Sequence, residues 1–490
     1  MRVRRITGRA PLAVAAALLF AFLAAPGAAP AKAQHAPQFR PLAELGPHVS
    51  RRVATSPGDC VNPDGVHCYT PQDIYSAYGV DAVHAAGWTG AGQTIVIVDS
   101  YGSPTVASDL HAFDQAFGLP DPGLTVYHPC GTPTFSNSMH GVQVGWAVET
   151  SLDVQWAHAM APDADLVLIA ANPAETQGVQ GLPCMFRGIR WAIQHYPGAI
   201  ISQSFGTTEQ AFHGAAANLL PKYHRIYQSA IANGMTPIAA AGDWGTANFN
   251  KQNRPFGFPT VIYPASDPDV TAAGGTWLQD GWRWDPPISA AQYYDCLSSG
   301  GSDCTATYLT YTSGGRTEAV WKEDWLPAST GGGLSSVFGT PSFQSGISSS
   351  LLQGRRGIPD VSWNAAVDGG VLTYLGFLGG ANNGFYIIGG TSASTPELGG
   401  VVALANQARA AGGKGPIGSL NPVLYSLPSS AYLDIVPETF GTGSGVVTLD
   451  DNQLYGTAAP GALTTTGYDL TTGLGSPVVP IFVSDLVAAP

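Results

Sequence analysis

The strongest constraint on the fold is a regular alternation of short apolar segments with helical segments between residues 94 and 242. This rhythm predicts an α/β fold with a mostly parallel central sheet flanked by helices, in which functional groups collect at the carboxyl ends of the strands. The predicted strands are Thr94–Asp99, Asp165–Ala170, Ala199–Gln203 and Pro237–Gly242. The predicted helices are Val106–Phe117, Gly145–Met160, Met185–His195 and Leu219–Asn233.

The composition describes a packed chain that carries little charge. Only 11% of the 490 residues are charged, against roughly 25% in an average globular protein. Aromatic residues make up 10% and the wider apolar set 44%, which excludes intrinsic disorder. The chain has 34 acidic and 21 basic residues, and this excess of negative charge argues against nucleic acid as a partner.

The first 33 residues have the pattern of an export signal. A basic stretch precedes the apolar segment from Leu12 to Pro26, and Ala31-Lys32-Ala33 matches a small-x-small cleavage site. We therefore expect a secreted protein; the alternative is an uncleaved N-terminal anchor. No later stretch reaches 18 apolar residues, so we expect no membrane anchor after signal removal. The basic residues of the stretch before Leu12 are Arg2, Arg4, Arg5 and Arg9.

The rest of the chain is expected to form one domain and a monomer. Residues 34–68 form a short N-terminal segment and residues 69–490 the domain, since no linker divides them. Residues 278–333 interrupt the alternation, and their Trp, Tyr, Gly and Ser content predicts a long loop or hairpin insertion.

Six cysteines in an exported chain predict up to three disulfides. Proximity along the chain favours Cys60–Cys68 and Cys296–Cys304, which leaves Cys130 to pair with Cys184. A zinc site is the other interpretation. It is disfavoured because the sequence contains no C-x-x-C motif.

The most informative stretch for chemistry is Gly389–Pro396, which reads G-G-T-S-A-S-T-P. A glycine-rich turn presents Ser392 at the start of a predicted helix, Glu397–Ala408. The positive end of a helix dipole favours the anion that forms during acyl transfer, so Ser392 is a candidate nucleophile. A Ser that only caps the helix is the alternative.

Two sets of residues could take the proton of Ser392. Glu149 and Asp153 lie four residues apart, on one face of an apolar helix, where buried carboxyl groups have raised pKa values suited to acid. The second set is His140 with Asp99, which would complete a Ser–His–Asp triad in the order of subtilisins.

Asp243 discriminates between these two sets. It ends a predicted strand at the place where subtilisins carry an Asn whose side-chain amide donates to the oxyanion. An Asp donates there only when it is protonated, which requires low pH or a strongly raised pKa. Asp243 therefore pairs naturally with a carboxylate base and poorly with His140.

Several short motifs occur along the chain in the order of one known family. They are G-A-G-Q-T-I from Gly90, E-x-x-L-D from Glu149, I-S-Q-S-F-G from Ile201, P-A-S from Pro264, G-G-T from Gly274, G-G-G-L-S from Gly331, P-D-V-S from Pro359 and Gly389–Pro396. Through these motifs the sequence from about Tyr69 to Pro477 resembles the sedolisin family, the serine-carboxyl peptidases. The resemblance implies a subtilisin-like fold and peptidase activity in acid. It implies Ser392 as nucleophile, Glu149 as general base, Asp153 as the group that orients Glu149, and Asp243 as oxyanion donor, with Asp99 in a supporting position.

The same resemblance implies one bound Ca²⁺ near the C-terminus. Asp434 and Asp469 would bind through their side chains, and Ile435, Thr465 and Gly467 through their carbonyl oxygens. Carboxylate and carbonyl oxygens are the ligands that Ca²⁺ prefers. A plain acidic turn is the alternative.

One feature departs from the family pattern. Members usually carry a long folded pro-domain, whereas about thirty-five residues separate the expected signal cleavage from Tyr69 here.

Taken together, these features predict a secreted, calcium-binding, acid-active peptidase with protein or peptide substrates. The alternatives are a peptidase using Asp99, His140 and Ser392, and a non-catalytic, calcium-stabilised binding protein.

Overall fold

The computed structural model describes residues 40–41, 44–49, 68–135, 142–172, 179, 181–214, 217–250, 254–278, 282–284, 309–311, 316–323, 326–442 and 445–490. The chain divides into two units, residues 1–33 and residues 34–490, and every described residue lies in the second. The predicted export signal and four predicted functional or disulfide residues lie outside the described ranges. Those four are Cys60, His140, Cys296 and Cys304.

Most described strands are short. They are β1 (Arg40–Pro41), β2 (Glu44–Val49), β3 (Cys68–Tyr69), β4 (Thr94–Ser100), β5 (Leu124–Tyr127), β6 (Asp165–Ala171), β7 (Ile200–Gln203), β8 (Phe205–Thr208), β9 (Thr236–Ala240), β10 (Ile262–Tyr263), β11 (Thr271–Leu278), β12 (Trp282–Trp284), β13 (Leu309–Tyr311), β14 (Glu318–Val320), β15 (Lys322–Glu323), β16 (Ala328–Ser329), β17 (Gly333–Gly339), β18 (Arg355–Ile358), β19 (Val361–Asn364), β20 (Gly370–Leu375), β21 (Gly384–Gly389), β22 (Tyr432–Leu433), β23 (Glu438–Thr442), β24 (Gly445–Leu449) and β25 (Ser476–Pro477).

The described α-helices are α1 (Pro71–Tyr78), α2 (Val80–Ala85), α3 (Val106–Phe117), α4 (Val142–Met160), α5 (Leu182–His195), α6 (Leu219–Ala232), α7 (Ser349–Leu352), α8 (Thr391–Ala411), α9 (Leu420–Leu424) and α10 (Val479–Ala488). Among the described helices, none combines the length and the apolar character that a membrane crossing requires.

The central sheet has the strand order β14-β11-β9-β7-β4-β6-β5, with β19 also paired to β11. All of its pairings are parallel except that of β14, which runs antiparallel to β11. Parallel strands require a crossover between them, and in this chain helices such as α5 and α6 supply it. The fold is the mostly parallel α/β arrangement that the alternation of segments predicted, and it agrees with the subtilisin-like fold that the family resemblance implies.

The strands read as continuous apolar runs because both faces of the sheet are covered. In β4, Ile95 and Ile97 pack into the core on the side of α4 and α8, whereas Val96 and Val98 pack into the core on the side of α5 and α6. The period-2 alternation of a strand therefore divides one apolar run between two cores.

Three neighbouring strands end at the same edge of the sheet. They lie side by side in the order β9-β7-β4. Asp243 follows the end of β9, Ser204 follows the end of β7, and Asp99 is the penultimate residue of β4. Because the carboxyl ends of parallel strands share an edge, these three side chains approach one region from separate parts of the sequence.

The two short strands β1 and β2 of the N-terminal segment lie beside this region. Strand β1 pairs antiparallel with β8, with Arg40 opposite Gly206 and Pro41 opposite Phe205. Strand β2 then pairs antiparallel with β21, which leads into α8.

The eight predicted strands and helices of the alternation are all present, and their boundaries shift by no more than a few residues. Helix α3 spans the predicted residues Val106–Phe117, and α4 begins at Val142 instead of Gly145. The disulfide Cys130–Cys184 is confirmed, with the Cα atoms 6.1 Å apart. Cys68 is also in a disulfide, as predicted.

The prediction of a long insertion at residues 278–333 is correct only for part of that range. Strands β12 and β13 form an antiparallel pair, as a hairpin insertion would. Strand β14, however, returns to the central sheet beside β11. Its residues Ala319 and Val320 are buried, and this burial makes the end of the range part of the core.

Candidate active site

The two carboxyl groups of α4 are fully buried. Glu149 and Asp153 are each 0% exposed, so an exposed acidic pair is excluded as their interpretation. Helix α4 is apolar nearly all round and packs against α8, which carries Ser392. The four-residue spacing places both carboxyl groups on one face of α4.

Two glycines explain how Ser392 reaches its position. Gly390 has a φ of +106°, which a residue with a side chain rarely adopts. A Cβ on Gly389 would lie 2.6 Å from the carbonyl oxygen of Ala365, so only glycine allows this close approach. The chain can therefore turn sharply from β21 into α8 and bury Ser392 in the first turn of the helix.

Ser204 lies between Asp153 and the backbone of the candidate nucleophile. Its hydroxyl donates to Oδ1 of Asp153 at 2.8 Å and lies 3.4 Å from the carbonyl oxygen of Ser392. The Ser392 hydroxyl itself has no hydrogen-bond partner among the described residues. Asp153 and the backbone of Ser392 thus lie within reach of one side chain.

Asp99 contributes a third carboxyl group. It is 0% exposed at the end of β4, and burial raises its pKa to about 7. Burial also raises the pKa of Asp153 well above its usual range, and the charges of Asp99 and Glu149 raise it further. Asp99 and Asp153 therefore keep their protons to a higher pH than exposed carboxyl groups do.

Asp243 is hydrogen-bonded to Thr391, the residue that precedes the candidate nucleophile. Its Oδ1 accepts hydrogen bonds from the Thr391 amide at 2.8 Å and from the Thr391 hydroxyl at 2.7 Å. Its Oδ2 has no hydrogen-bond partner among the described residues. Because both bonds are donated to Oδ1, a proton on the carboxyl group belongs on Oδ2, which is then free to donate.

The pKa of Asp243 is raised well above its usual range. Burial is the largest cause, the negative charge of Glu44 adds to it, and the two hydrogen bonds from Thr391 only partly oppose it. Asp243 therefore keeps its proton to a higher pH than an ordinary carboxyl group, as the sequence argument required.

The residues predicted to hold Ca²⁺ come together in one loop region. Both carboxylate oxygens of Asp434 lie close to the Gly467 amide, at 3.1 and 2.9 Å. Oδ2 of Asp469 accepts from the Thr465 amide at 2.8 Å, and Ile435 follows Asp434 directly. Oδ1 of Asp469 is occupied by donors from the neighbouring turn, whereas the Asp434 carboxylate receives only the single Gly467 amide among the described contacts.

Sequence reasoning missed three features of this site. The bridging position of Ser204 and the bonds of Thr391 to Asp243 join residues that are far apart along the chain, and no local pattern announces them. Glu44 was also missed. It reaches Asp243 because β2 pairs with β21, and nothing in the sequence around Glu44 predicts that pairing.

The raised pKa values predict that the protein is more stable in acid than at neutral pH. A buried carboxyl group whose pKa is about 7 binds its proton in the folded chain, but an unfolded chain releases that proton above about pH 4. Between these two values the folded state binds more protons, so the free energy of unfolding falls as the pH rises. Asp99 and Glu323 both have a pKa of about 7 because of burial.

Urea unfolding at pH 4.5, 6.0 and 7.5 measures this effect. We expect the free energy of unfolding to fall by about 3 kcal/mol or more across the series, since one pKa unit corresponds to about 1.4 kcal/mol. The Asp99→Asn variant should show a shallower dependence because it removes one of the titrating groups. A free energy of unfolding that rises with pH over this range would contradict the prediction.

The chain matches the model of the subtilase family over residues 131–417. It is 30% identical to kumamolisin of Bacillus sp. (strain MN-32) over 417 residues, which cover 84% of this chain and 62% of kumamolisin. It is 26% identical to tripeptidyl-peptidase 1 of Homo sapiens over 352 residues, which cover 69% of this chain and 52% of that protein. The chain thus spans less than two thirds of the length of these curated relatives.

A solved structure of Pseudomonas sedolisin, described as a serine-carboxyl proteinase in complex with two molecules of pseudo-iodotyrostatin, has a similar fold. It superimposes with a TM-score of 0.63 at 25% sequence identity, and the match covers 86% of this chain and 99% of sedolisin. The matched family model, the named relatives and the shared fold agree with one another. The chain therefore belongs to the subtilase family, and within that family to the sedolisins.

Proposed function

We propose that this chain is a serine-type peptidase that acts on protein or peptide substrates in acid. The position of Asp243 carries the proposal. A carboxyl group with a raised pKa is bonded to Thr391, immediately before Ser392, and its other oxygen has no partner among the described residues. Such a group stabilises an oxyanion only when it is protonated, which restricts the reaction to low pH.

The proposed reaction has two halves. Glu149 accepts the hydroxyl proton of Ser392 while the oxygen attacks the carbonyl carbon of the scissile peptide bond. The carbonyl oxygen becomes an oxyanion, which receives a hydrogen bond from protonated Asp243. When the C–N bond breaks, Glu149 returns the proton to the leaving amine and an acyl-enzyme remains on Ser392.

The second half of the reaction repeats the first with water. Glu149 takes a proton from water, the resulting hydroxide attacks the ester carbon, and the same oxyanion interaction forms. Collapse releases the carboxylic acid product and returns the proton to Ser392. Asp153 orients Glu149 throughout, because the two carboxyl groups lie on adjacent turns of α4.

The edge of β8 is suited to bind an extended peptide. Strand β8 begins one residue after Ser204, and the chain's own Arg40 and Pro41 already lie along it in antiparallel register. A substrate strand would use the same backbone hydrogen bonds. Substrate binding at this edge therefore requires Arg40 and Pro41 to move away.

The pH dependence of proteolysis tests the proposed function. We expect digestion of a denatured protein to be fastest below pH 5, and the Ser392→Ala variant to be inactive at every pH while its circular dichroism stays unchanged. Activity that peaks near neutral pH and is lost in His140→Ala would support the triad of Asp99, His140 and Ser392 instead. Proteolysis that survives in Ser392→Ala would remove this site from consideration.

We also propose that Asp434, Ile435, Thr465, Gly467 and Asp469 hold one Ca²⁺. The support is the convergence of both carboxylates on one loop, together with a donor set of hard oxygen atoms. The ion would neutralise the two carboxylates and fix the loop relative to β22.

Secretion of the protein remains a prediction from the signal pattern of residues 1–33.

Removal of Ca²⁺ should lower the thermal stability. At a Ca²⁺ concentration 100-fold above Kd, a single site stabilises the folded state by about 2.7 kcal/mol, and a chelator abolishes that contribution. We expect EGTA to lower the Tm of the wild type and to leave the lower Tm of Asp434→Ala unchanged. An equal response of both proteins to EGTA would place the ion elsewhere, and no response of the wild type would refute the site.

A further inference from the structure

Ser204 occupies a position that the proposed mechanism leaves without a role. It is fully buried between the end of β7 and the start of β8, and its hydroxyl lies between two elements of the candidate site. On one side is Oδ1 of Asp153 at 2.8 Å, and on the other the carbonyl oxygen of Ser392 at 3.4 Å. The short distance identifies Asp153 as the main acceptor of the single hydroxyl proton.

The carbonyl of Ser392 needs a donor from outside its own helix. In a regular helix it would accept from the backbone N–H four residues later. That residue is Pro396, which has no N–H. The Ser204 hydroxyl approaches the carbonyl that Pro396 leaves without its helical partner.

Asp153 also needs a neutral donor. The charges that act on it in the described structure come from Asp99 on β4 and Glu149 on its own helix, and both are negative. The hydrogen bond from Ser204 opposes them by favouring the ionised form of Asp153.

We infer that Ser204 is a positioning residue for the reaction, acting through Asp153. Its hydroxyl fixes the orientation of the Asp153 carboxyl group and sets how the proton is shared between Asp153 and Glu149. This inference rests on the proposed function, since it assigns Ser204 no contact with substrate.

The test is the pH profile of kcat/KM for Ser204→Ala, measured with an internally quenched peptide that the wild type cleaves. Loss of the hydrogen bond makes the ionised form of Asp153 less favourable. We expect the whole profile to move to higher pH by roughly one unit, the size that one hydrogen bond to a buried carboxylate supports. We expect kcat at the optimum to fall about 10-fold with KM unchanged, because the site is misaligned but still binds substrate.

Ser202→Ala is the matched control. Ser202 lies two residues earlier, is equally buried, and its hydroxyl has no hydrogen-bond partner among the described residues. It should leave the profile in place. Ser204→Thr retains a hydroxyl and should return the profile toward that of the wild type.

A double variant separates positioning from helix support. Pro396→Ala supplies an N–H for the carbonyl of Ser392, so Ser204→Ala with Pro396→Ala repairs the helix but not the bond to Asp153. We expect the shifted pH profile to persist in the double variant. A profile restored by Pro396→Ala, or one that Ser204→Ala never shifts, would overturn the inference, whereas activity retained in Ser392→Ala would overturn the proposed function.

Discussion

The Glu149→Gln variant is expected to lose about 10³-fold in kcat, within the range that a positioned general base contributes. Glutamine has nearly the same shape as glutamate, so packing within α4 is preserved. Its amide cannot accept the Ser392 proton. Single-turnover and steady-state kinetics at the acid optimum measure the loss. KM is expected to change little because Glu149 transfers protons during the reaction and is assigned no role in binding the substrate beforehand.

Glu397→Gln provides a matched control for this variant. Glu397 is also fully buried and lies five residues after Ser392 on α8. Burial raises its pKa well above the usual range, so it is neutral in acid and a neutral amide replaces it with little change in charge. We expect its kcat to match that of the wild type. If Glu149→Gln retains more than about a tenth of the wild-type kcat, the general base lies elsewhere.

Asp243→Ala and Asp243→Asn are expected to differ in activity. The alanine variant removes the oxyanion donor and should lose roughly 10²–10³-fold in kcat at the acid optimum, where Asp243 of the wild type is protonated. The asparagine variant keeps an acceptor for the two bonds from Thr391 and places an amide N–H₂ where Oδ2 was. That amide donates whether or not the solution is acidic.

The sign of the pH effect follows from the raised pKa. In the wild type, activity falls as the pH rises through the pKa of Asp243, because the ionised carboxylate repels the oxyanion. The asparagine variant has no such ionisation, so the alkaline limb of its kcat profile should move to higher pH. If the asparagine variant has the same pH profile as the wild type and the alanine variant keeps its activity, Asp243 does not donate to the oxyanion.

Much of this site was predictable because its residues lie in strong local patterns. The apolar segment before Asp99 and the four-residue spacing of Glu149 and Asp153 depend on neighbours along the chain. So does the glycine turn before Ser392. Helix α4 and strand β4 lie where those patterns placed them, whereas α8 begins at Thr391, six residues before the predicted Glu397. The burial of Glu149 and Asp153 was predictable as well, because α4 is apolar nearly all round.

The parts that were not predictable depend on pairings between distant segments. The approach of Glu44 to Asp243 requires β2 to add to β21, and the edge of β8 is occupied only because Arg40 and Pro41 pair with it. The end of the predicted insertion joins the core through β14 for the same reason. Register between strands is set by packing and burial in three dimensions, which no single segment encodes.

The sequence by itself determined which chemical groups are available: a serine on a glycine turn, an acidic pair on an apolar helix, and an Asp at the end of a strand. Only the tertiary structure decided how strongly those groups hold their protons. Asp99, Asp153 and Asp243 have raised pKa values because folding buries them near other negative charges or away from water. Burial and charge proximity are properties of the packed chain, so the link between this site and acid depends on the fold.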